Sequence, residues 1–378
     1  MLFDTIHDGG GELPRQCGEY GLQQEIGRGA YGTVYLASAP DGGRVAVKVC
    51  RCEDIGDERF ERELRGAKLY RAIPPQEGLV RMLELAEEPW GFFAVMELAD
   101  DEFGGPQEAS AGYRPKTLAS VIAGEKALPL GECVKLGVTL AKGLAALQRH
   151  HLLHRDIKPG NIIYVGGRPV LSDPGLVVEE AAAASLVGTP GYVPPESFTA
   201  ASGDVYSLGL TLKAASFGRK IEDLDKGPAL EADTGSRFFP AWWRILNKAT
   251  DPTPSRRYQS AKALLKDFES LNRRIVVVGS PLFKVAIALL ALAAIGAIWF
   301  LVASSGRSVS VQEVKKSLVE DAVKNDPNLQ RIRSGELDME LSTQFEEMKN
   351  EQKEHLARLQ ADFAPKSTDN ESDESDSK

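Results

Sequence analysis

A glycine-rich segment near the N-terminus has a composition suited to binding phosphate. It is GRGAYGTV over residues 27–34, with glycines at Gly27, Gly29 and Gly32. Glycines at these spacings let a β-turn bring backbone N–H groups close to phosphate oxygens. The segment alone is weak evidence, because a Rossmann motif would continue into a helix and a Walker loop would contain Gly-Lys-Ser/Thr. A second strand is predicted to follow here, so the pattern indicates two strands joined by a glycine-rich turn.

A lysine in the next apolar strand is the second candidate. Lys48 is predicted to end the strand that contains VAVK at residues 45–48, after a turn at residues 41–43. An ammonium group that faces a cleft costs free energy unless an anion offsets its desolvation. The helical stretch 59–64 offers two glutamates. We predict that Glu63 is the partner, with Glu61 as the rival and a solvated helix face as the alternative for either.

The strongest signal is a polar cluster in the middle of the chain. It is HRDIKPGN over residues 154–161, and Asp173 follows twelve residues after Asn161, within Asp-Pro-Gly. So many residue types at fixed spacing do not arise by chance in a chain of this length. Carboxylates, an amide and a lysine suit phosphoryl transfer, in which cations and donors are positioned against charge spread over the phosphate oxygens.

With these motifs, the sequence resembles the eukaryotic-type (Hanks-type) Ser/Thr protein kinases, particularly the single-pass membrane kinases of bacteria, over about residues 20–272. Further segments resemble family motifs in the family's order: GTPGY at 188–192, PPE at 194–196, DVYSLG at 204–209 and RY at 257–258. The resemblance implies an α+β, bilobal protein-kinase fold with a β-rich N-lobe, an α-helical C-lobe and a cleft between them. It also implies that Glu196 and Arg257 form a buried, structural ion pair.

For the nucleotide, the resemblance implies that ATP binds between the lobes. Lys48 is expected to hold the α- and β-phosphates and to pair with Glu63. Met96 is expected at the back of the pocket, with the following backbone against adenine. The nucleotide-binding set is Gly27, Gly29, Gly32, Val34, Ala46, Lys48, Glu63, Met96, Glu97 and Ala99.

For the transfer step, the resemblance implies a catalytic loop and a metal site. Asp156 is expected to orient the acceptor hydroxyl and accept its proton, and Lys158 to steady the γ-phosphate. Asn161 and Asp173 are expected to hold Mg²⁺, with Mn²⁺ as an alternative. In the family, a lysine at the position of Lys158 distinguishes Ser/Thr kinases from tyrosine kinases. Proteins bearing serine or threonine are therefore the expected substrates.

The chain departs from the family pattern at Pro174, where phenylalanine is usual, and at Pro194, where alanine is usual. In the family that phenylalanine packs beneath the helix that carries the glutamate, so its loss removes apolar contact worth about 1 to 3 kcal/mol. Proline also fixes φ and lacks an N–H group, which stiffens the metal-binding turn. The change at Pro174 bears on regulation more than on catalysis.

Regulation is expected in the segment between Asp173 and Glu196. Arg155 implies control by an anion on this segment, and phosphorylated Ser185 is the predicted source, with Thr189 as the other hydroxyl candidate. Glu179 or Glu180 would supply a permanent charge instead, unless both are simply solvated.

Outside the predicted kinase domain, the chain suggests a membrane protein. Residues 285–303 contain no charge, which is long enough for a helix to span a bilayer. Basic residues precede this run, namely Arg273, Arg274 and Lys284, whereas Arg307 alone follows closely. This bias predicts a single pass with the kinase domain in the cytoplasm. A buried core helix is the alternative.

The predicted regions are an N-terminal extension (1–19), a protein kinase domain (20–272), a juxtamembrane linker (273–284), a transmembrane helix (285–303) and an extracytoplasmic tail (304–378). Residues 1–20 lack the pattern of a secretion signal. Apolar residues recur at three- and four-residue spacings over 337–363, which predicts an amphipathic helix that acts as a stalk or as the contact of a homodimer. The acidic, serine-rich end at 367–378 is predicted to be disordered.

Composition excludes some functions. The net charge of −9 and pI near 5.3 argue against nucleic-acid binding. Four cysteines match neither a zinc site nor a C-x-x-C pair. Because Lys48, Asp156 and Asp173 are all present, we expect an active enzyme. The alternatives are a nucleotide-binding pseudokinase that serves as a signalling scaffold, and a sensor whose essential part is the outer segment.

Overall fold

The structure, a computed structural model, describes residues 5–7, 12–14, 16–29, 32–104, 112–123, 126–173, 177–179, 188–198, 200–226, 233–279 and 289–300. Residues 1–283 form one compact unit and residues 284–378 a second. The strands are β1 Thr5–His7, β2 Glu12–Pro14, β3 Gln16–Cys17, β4 Tyr20–Gly29, β5 Gly32–Ser38, β6 Arg44–Arg51, β7 Met82–Glu88, β8 Gly91–Met96, β9 Leu152–Leu153, β10 Ile162–Val165, β11 Arg168–Leu171 and β12 Val178–Glu179. The helices are α1 Cys52–Ile55, α2 Asp57–Arg71, α3 Leu118–Val121, α4 Leu130–Arg149, α5 Ala201–Phe217, α6 Phe239–Ala249 and α7 Ala261–Gly279.

The N-lobe is built on an antiparallel sheet with strand order β3-β4-β5-β6-β8-β7. The predicted turn at residues 41–43 joins β5 to β6, and Gly42 takes a positive φ of 83° there. The prediction that Lys48 ends its strand is wrong, because β6 continues to Arg51. Since β6 pairs with β5 on one side and β8 on the other, its ladder holds residues beyond the lysine in the strand.

The C-lobe packs around two long helices. The apolar residues that recur over residues 131–149 predict a helix, and α4 confirms it with its apolar face buried. Nearly all of α5 is buried, so it has no polar face for solvent. α6 adds Trp243, which stacks on Phe217 with ring centroids 4.8 Å apart, and Trp242, whose indole N–H donates to Ser216 Oγ at 2.9 Å. The bilobal protein-kinase fold is therefore confirmed.

The membrane span remains a prediction. Of its residues, the structure describes 289–300, which are helical, and among the described residues no helix is long and apolar enough to cross a bilayer. The rest of the span lies outside the described residues. So do the predicted helix at 337–363 and the acidic end at 367–378.

Candidate active site

The described part of the glycine-rich hairpin lies beside the strand that carries Lys48. Gly29 pairs with Gly32 at the end of the β4–β5 hairpin, although residues 30 and 31 at its tip lie outside the described residues. A Cβ on Gly32 would lie 2.6 Å from the carbonyl oxygen of Val49 in β6, so this position requires glycine. In the cross-strand register Gly27 pairs with Val34, and Val34 pairs in turn with Lys48.

Lys48 bridges two carboxylates from distant parts of the chain. Its Nζ lies 3.2 Å from Glu63 Oε2 and 2.6 Å from Asp173 Oδ1. Glu63 is completely buried on α2, beside Leu64, whereas Glu61 is exposed. The helix phase therefore places Glu63, and not its rival, against the lysine.

The charges in this cluster support one another. Burial opposes the charge of Lys48, but Asp173 and Glu63 outweigh it and raise the pKa of the lysine above its ordinary value. Burial also tends to raise the pKa of Asp173, and Lys48 reverses this and lowers it. Burial raises the pKa of Glu63. An ammonium group is thus fixed at the base of the cleft.

Asp156 accepts hydrogen bonds from three side chains. Lys158 Nζ donates to Asp156 Oδ2 at 2.9 Å, and Asn161 Nδ2 donates to the same oxygen at 2.7 Å. Thr189 Oγ1 donates to Asp156 Oδ1 at 2.6 Å and accepts from Lys158 Nζ at 2.6 Å. The amide nitrogen of Asn161 is therefore engaged, whereas no hydrogen bond within the described part of the chain engages its side-chain oxygen, which suits a cation.

The structure places Thr189 among the catalytic residues, whereas the sequence predicted a regulatory role for it. Its hydroxyl lies within the catalytic cluster, where Asp156 and Lys158 occupy it. A positive φ of 127° at the preceding Gly188, whose Cβ would lie 2.8 Å from the carbonyl oxygen of Arg155, brings the segment this close.

Two residues that sequence reasoning did not assign to the site hold the catalytic loop. The buried carboxylate of Asp204 in α5 accepts the backbone N–H groups of His154 at 2.7 Å and Arg155 at 2.8 Å. Ser172 donates its N–H to the carbonyl of Asn161 at 2.8 Å, which ties the residue before Asp173 to the loop. Asp204 was visible only as part of the motif at 204–209.

At the junction of the lobes, Met96 is buried at the end of β8 and pairs with Ala46 of β6. Next to it, the N–H of Glu97 donates to the carbonyl of Arg81 at 3.1 Å. Within the described residues, no backbone hydrogen bond engages the carbonyl of Glu97 or the N–H of Ala99. One acceptor and one donor at this edge are therefore available to a ligand.

The predicted regulatory residues are only partly described. Arg155 is buried, with a φ of 66°, and its backbone is held by α5 as above. Ser185, Glu180 and Pro174 lie outside the described residues. Glu179 forms an exposed ion pair with Arg65 of α2, so it connects its segment to the helix that carries Glu63.

The predicted ion pair Glu196–Arg257 forms with two parallel hydrogen bonds, of 2.6 and 2.9 Å. The Arg257 side chain is fully buried, but that of Glu196 is 23% exposed. The prediction of a buried pair is thus correct for the arginine and overstated for the glutamate. Arg257 also lies 4.6 Å from the ring centroid of Tyr206.

Comparison with known proteins agrees with this geometry. The family model of the protein kinase domain matches residues 20–274. The chain is 32% identical over 264 residues to the serine/threonine-protein kinase PknK of Mycobacterium tuberculosis, covering 66% of this chain and 21% of PknK. It is 31% identical over 230 residues to AfsK of Streptomyces griseus, covering 57% of this chain and 25% of AfsK. The chain thus spans a quarter or less of the length of these relatives.

Among solved structures, the crystal structure of the Mycobacterium tuberculosis PknI kinase domain aligns with 67% of this chain and 96% of that one, at 21% identity and a TM-score of 0.48. The family match covers more than half of the chain. The family that the motifs predicted is confirmed: the chain belongs to the protein kinase domain family.

Proposed function

We propose that the chain is a protein-serine/threonine kinase that transfers the γ-phosphate of Mg·ATP to protein hydroxyls. The observation that carries the proposal is the arrangement around Asp156. Its carboxylate is oriented by Lys158, Asn161 and Thr189. In addition, Glu63 and Asp173 hold the ammonium group of Lys48 in place. Family membership and the serine/threonine-protein kinases among the relatives support this assignment.

Asp156 acts on the acceptor. Its Oδ1 already accepts a hydrogen bond from the threonine hydroxyl of Thr189, the kind of group that a substrate brings. In the same way it orients a substrate hydroxyl and takes up its proton as the hydroxyl oxygen bonds to the γ-phosphorus, while the bond from that phosphorus to the β-phosphate oxygen breaks and ADP leaves. Lys158 Nζ bonds the other carboxylate oxygen, Oδ2, and offsets the negative charge of the incoming phosphoryl group.

Asn161 and Asp173 fit a magnesium ion. Mg²⁺ prefers oxygen ligands and is commonly held by one or two carboxylates together with substrate phosphates and water. Asp173 offers a carboxylate, and the side-chain oxygen of Asn161 offers a second ligand. The bound ion would offset the charge of the phosphates, while Lys48 supplies a cation from the N-lobe side.

The test is phosphate transfer by the full-length chain, purified in detergent, with radiolabelled ATP and a generic basic protein as acceptor. Asp156→Asn should reduce transfer by about 10² to 10⁴-fold, because the base is lost. It should leave the Kd of Mg·ATP within about two-fold, because Asp156 does not meet the nucleotide. Asp267→Asn, whose carboxylate accepts from Tyr258 in the C-lobe, is the matched control. If the wild-type chain binds Mg·ATP yet moves no phosphate while Pro174→Phe does, the scaffold alternative is correct.

We also propose that residues 285–303 anchor the chain in the membrane once, with the kinase domain in the cytoplasm and the tail outside. Support comes from the uncharged run, its basic flank and the exposed apolar side chains of the helix at 289–300, such as Leu290 and Trp299. With an epitope tag at each end, protease added to spheroplasts should remove the C-terminal tag alone. Loss of the N-terminal tag alone would reverse the orientation.

The predicted helix at 337–363 is proposed as the contact of a homodimer. Removing that segment should convert a dimer to a monomer in light scattering. A monomeric wild-type chain would rule this contact out.

Autophosphorylation at Ser185 is proposed as the source of the anion for its segment. Support comes from the position of Ser185 shortly before Gly188 and from the arginine beside Asp156. Mass spectrometry of active protein should find the phosphate, and Ser185→Ala should lower activity. An unmodified Ser185 in fully active protein, with an equally active alanine variant, would transfer the role to the glutamates at 179 and 180.

A further inference from the structure

A segment directly after the lobe junction folds back onto the N-lobe. Its described parts, residues 101–104 and 112–115, are together called the hinge strap. Asp101 and Pro115 form an antiparallel bridge, and the N–H of Glu102 donates to the carbonyl of Arg114 at 2.8 Å. The two ends of the strap are thus paired with each other, close in sequence to Ala99.

The C-lobe holds the base of the strap. The N–H of Lys116 donates to the carbonyl of Asp100 at 2.8 Å, and its own carbonyl accepts the N–H of Tyr164 at 3.0 Å. Thr117 forms a bridge to Ile163 of β10. The residues that follow the strap are therefore part of the C-lobe.

The N-lobe holds the returning arm of the strap at Tyr113. Tyr113 is buried, and its backbone N–H and C=O are both bonded to the side-chain amide of Gln24 in β4, at 3.1 and 2.8 Å. The guanidinium of Arg44 in β6 lies 5.2 Å from the centre of the tyrosine ring. The same residue is thus held to two strands of the sheet.

A β-bulge in β4 places Gln24 where it can bond to Tyr113. Leu22 pairs with Ala37, but Gln24 pairs with Leu36, so one extra residue on β4 lies between the two pairs. Because neighbouring residues of β5 point to opposite faces, the bulge moves Gln24 to the face opposite Leu22. That face also carries Val34 and Lys48, and it is therefore the nucleotide side of the sheet.

Tyr113 also holds the hinge itself. Its hydroxyl donates to the carbonyl of Ala99 at 2.8 Å, and burial raises the pKa of the hydroxyl, so it remains a donor. The N–H of the same peptide, that of Asp100, donates to the backbone carbonyl of Tyr164 at 2.6 Å. The peptide after Ala99 is thus fixed from both sides, while the N–H of Ala99 forms no backbone hydrogen bond with any residue that the structure describes and can serve a ligand.

We propose that Tyr113 is a positioning residue for the adenine subsite, which ties the hinge at Ala99 to Gln24 of the N-lobe and so limits opening of the cleft at its base-binding edge. The proposal rests on the proposed function, because it needs a purine at the hinge. Tyr113 acts through the hinge peptide and not on the phosphates. Its loss should affect binding of the base alone.

The test compares two probes on the full-length chain by calorimetry: adenosine for the base subsite and Mg·tripolyphosphate for the phosphate subsite. Tyr113→Phe removes one hydroxyl, and the loss of one buried hydrogen bond should raise the Kd of adenosine by about 3- to 10-fold. Tripolyphosphate should bind within two-fold of wild type. Gln24→Ala should also weaken adenosine binding. In the double variant the fold-loss should be smaller than the product of the two single losses, because both substitutions break the same connection between the hinge and the N-lobe.

Tyr20→Phe is the matched control, because it removes a hydroxyl that bonds Glu84 in the same sheet, away from the hinge. It should leave both probes unchanged. Wild-type adenosine affinity in Tyr113→Phe and Gln24→Ala, or parallel weakening of both probes, would overturn the proposal. A wild-type chain that binds neither adenosine nor Mg·ATP would instead overturn the proposed function.

Discussion

Replacing Gly143 by alanine should destabilise the kinase domain, although it lies inside helix α4. At an exposed helix interior the same change stabilises by about 1 kcal/mol, because glycine is a poor helix former. Here a Cβ would lie 2.5 Å from the carbonyl oxygen of Gly78. Ordinary carbon–oxygen contacts are about 3.3 to 3.6 Å, so the two backbones would have to separate by nearly 1 Å.

Gly78 cannot easily yield. With a φ of 83° it is packed so closely on α4 that its own Cβ would lie 2.1 Å from the carbonyl oxygen of Thr139. Its carbonyl also accepts the N–H of Leu171, two residues before Asp173. Overpacking of this kind costs about 1 to 3 kcal/mol, and because Gly78 cannot yield we expect the upper part of this range, about 2 to 3 kcal/mol, against a gain in helix propensity of about 1 kcal/mol. We therefore expect a net loss of about 1 to 2 kcal/mol and weaker Mg·ATP binding.

The assay is thermal and denaturant unfolding of the full-length chain, followed by the transition of the kinase domain. A loss of this size should lower the Tm by about 2 to 8 °C in a domain of about 250 residues. Gly131→Ala, in the first turn of the same helix, is the control, since nothing lies within 4 Å of its Cβ. It should be neutral or slightly stabilising. If Gly143→Ala unfolded at or above the wild-type temperature, the close approach to Gly78 would not be a constraint in solution.

Three further predictions concern the site and its support. Thr189→Ala should lower kcat by about 10- to 100-fold with KM for ATP unchanged, whereas Thr189→Ser should retain activity because the hydroxyl remains; equal loss in both variants would contradict a role of the hydroxyl. Because the folded pKa of Lys48 is raised, its contribution to stability is present below about pH 10.4 and is lost only as pH rises through the folded pKa. The difference in unfolding free energy between wild type and Lys48→Met should therefore be constant from pH 7 to 9. A slope in that difference over this range would refute the raised pKa. Arg257→Ala should cost about 1.5 to 3 kcal/mol in denaturant unfolding, because two charged hydrogen bonds are lost while the partly exposed Glu196 can still be solvated. Arg257→Lys should restore little, because a single ammonium cannot make the paired bonds; full rescue by lysine would show that charge alone matters.

Local pattern was sufficient to find the motif residues and several elements. Helix α4 was predicted from its apolar period and the β5–β6 turn from its glycines, because both depend on residues a few positions apart. The sequence did not predict that β6 extends beyond Lys48, because a strand's length depends on pairing with strands from elsewhere in the chain. The choice of Glu63 over Glu61 was right, and the phase of α2 on the sheet is what decides it.

Amino-acid sequence by itself determined which residues carry the chemistry, their order and the family, since each motif is a local arrangement of side chains. Tertiary structure alone decided how they meet. Lys48 reaches Asp173 across 125 positions, and Tyr113 reaches Gln24 across 89. No periodicity extends over such separations, because those contacts depend on how sheet, hinge and helices pack together. For the same reason the hydroxyl of Thr189, predicted from its segment to be regulatory, was found between Asp156 and Lys158.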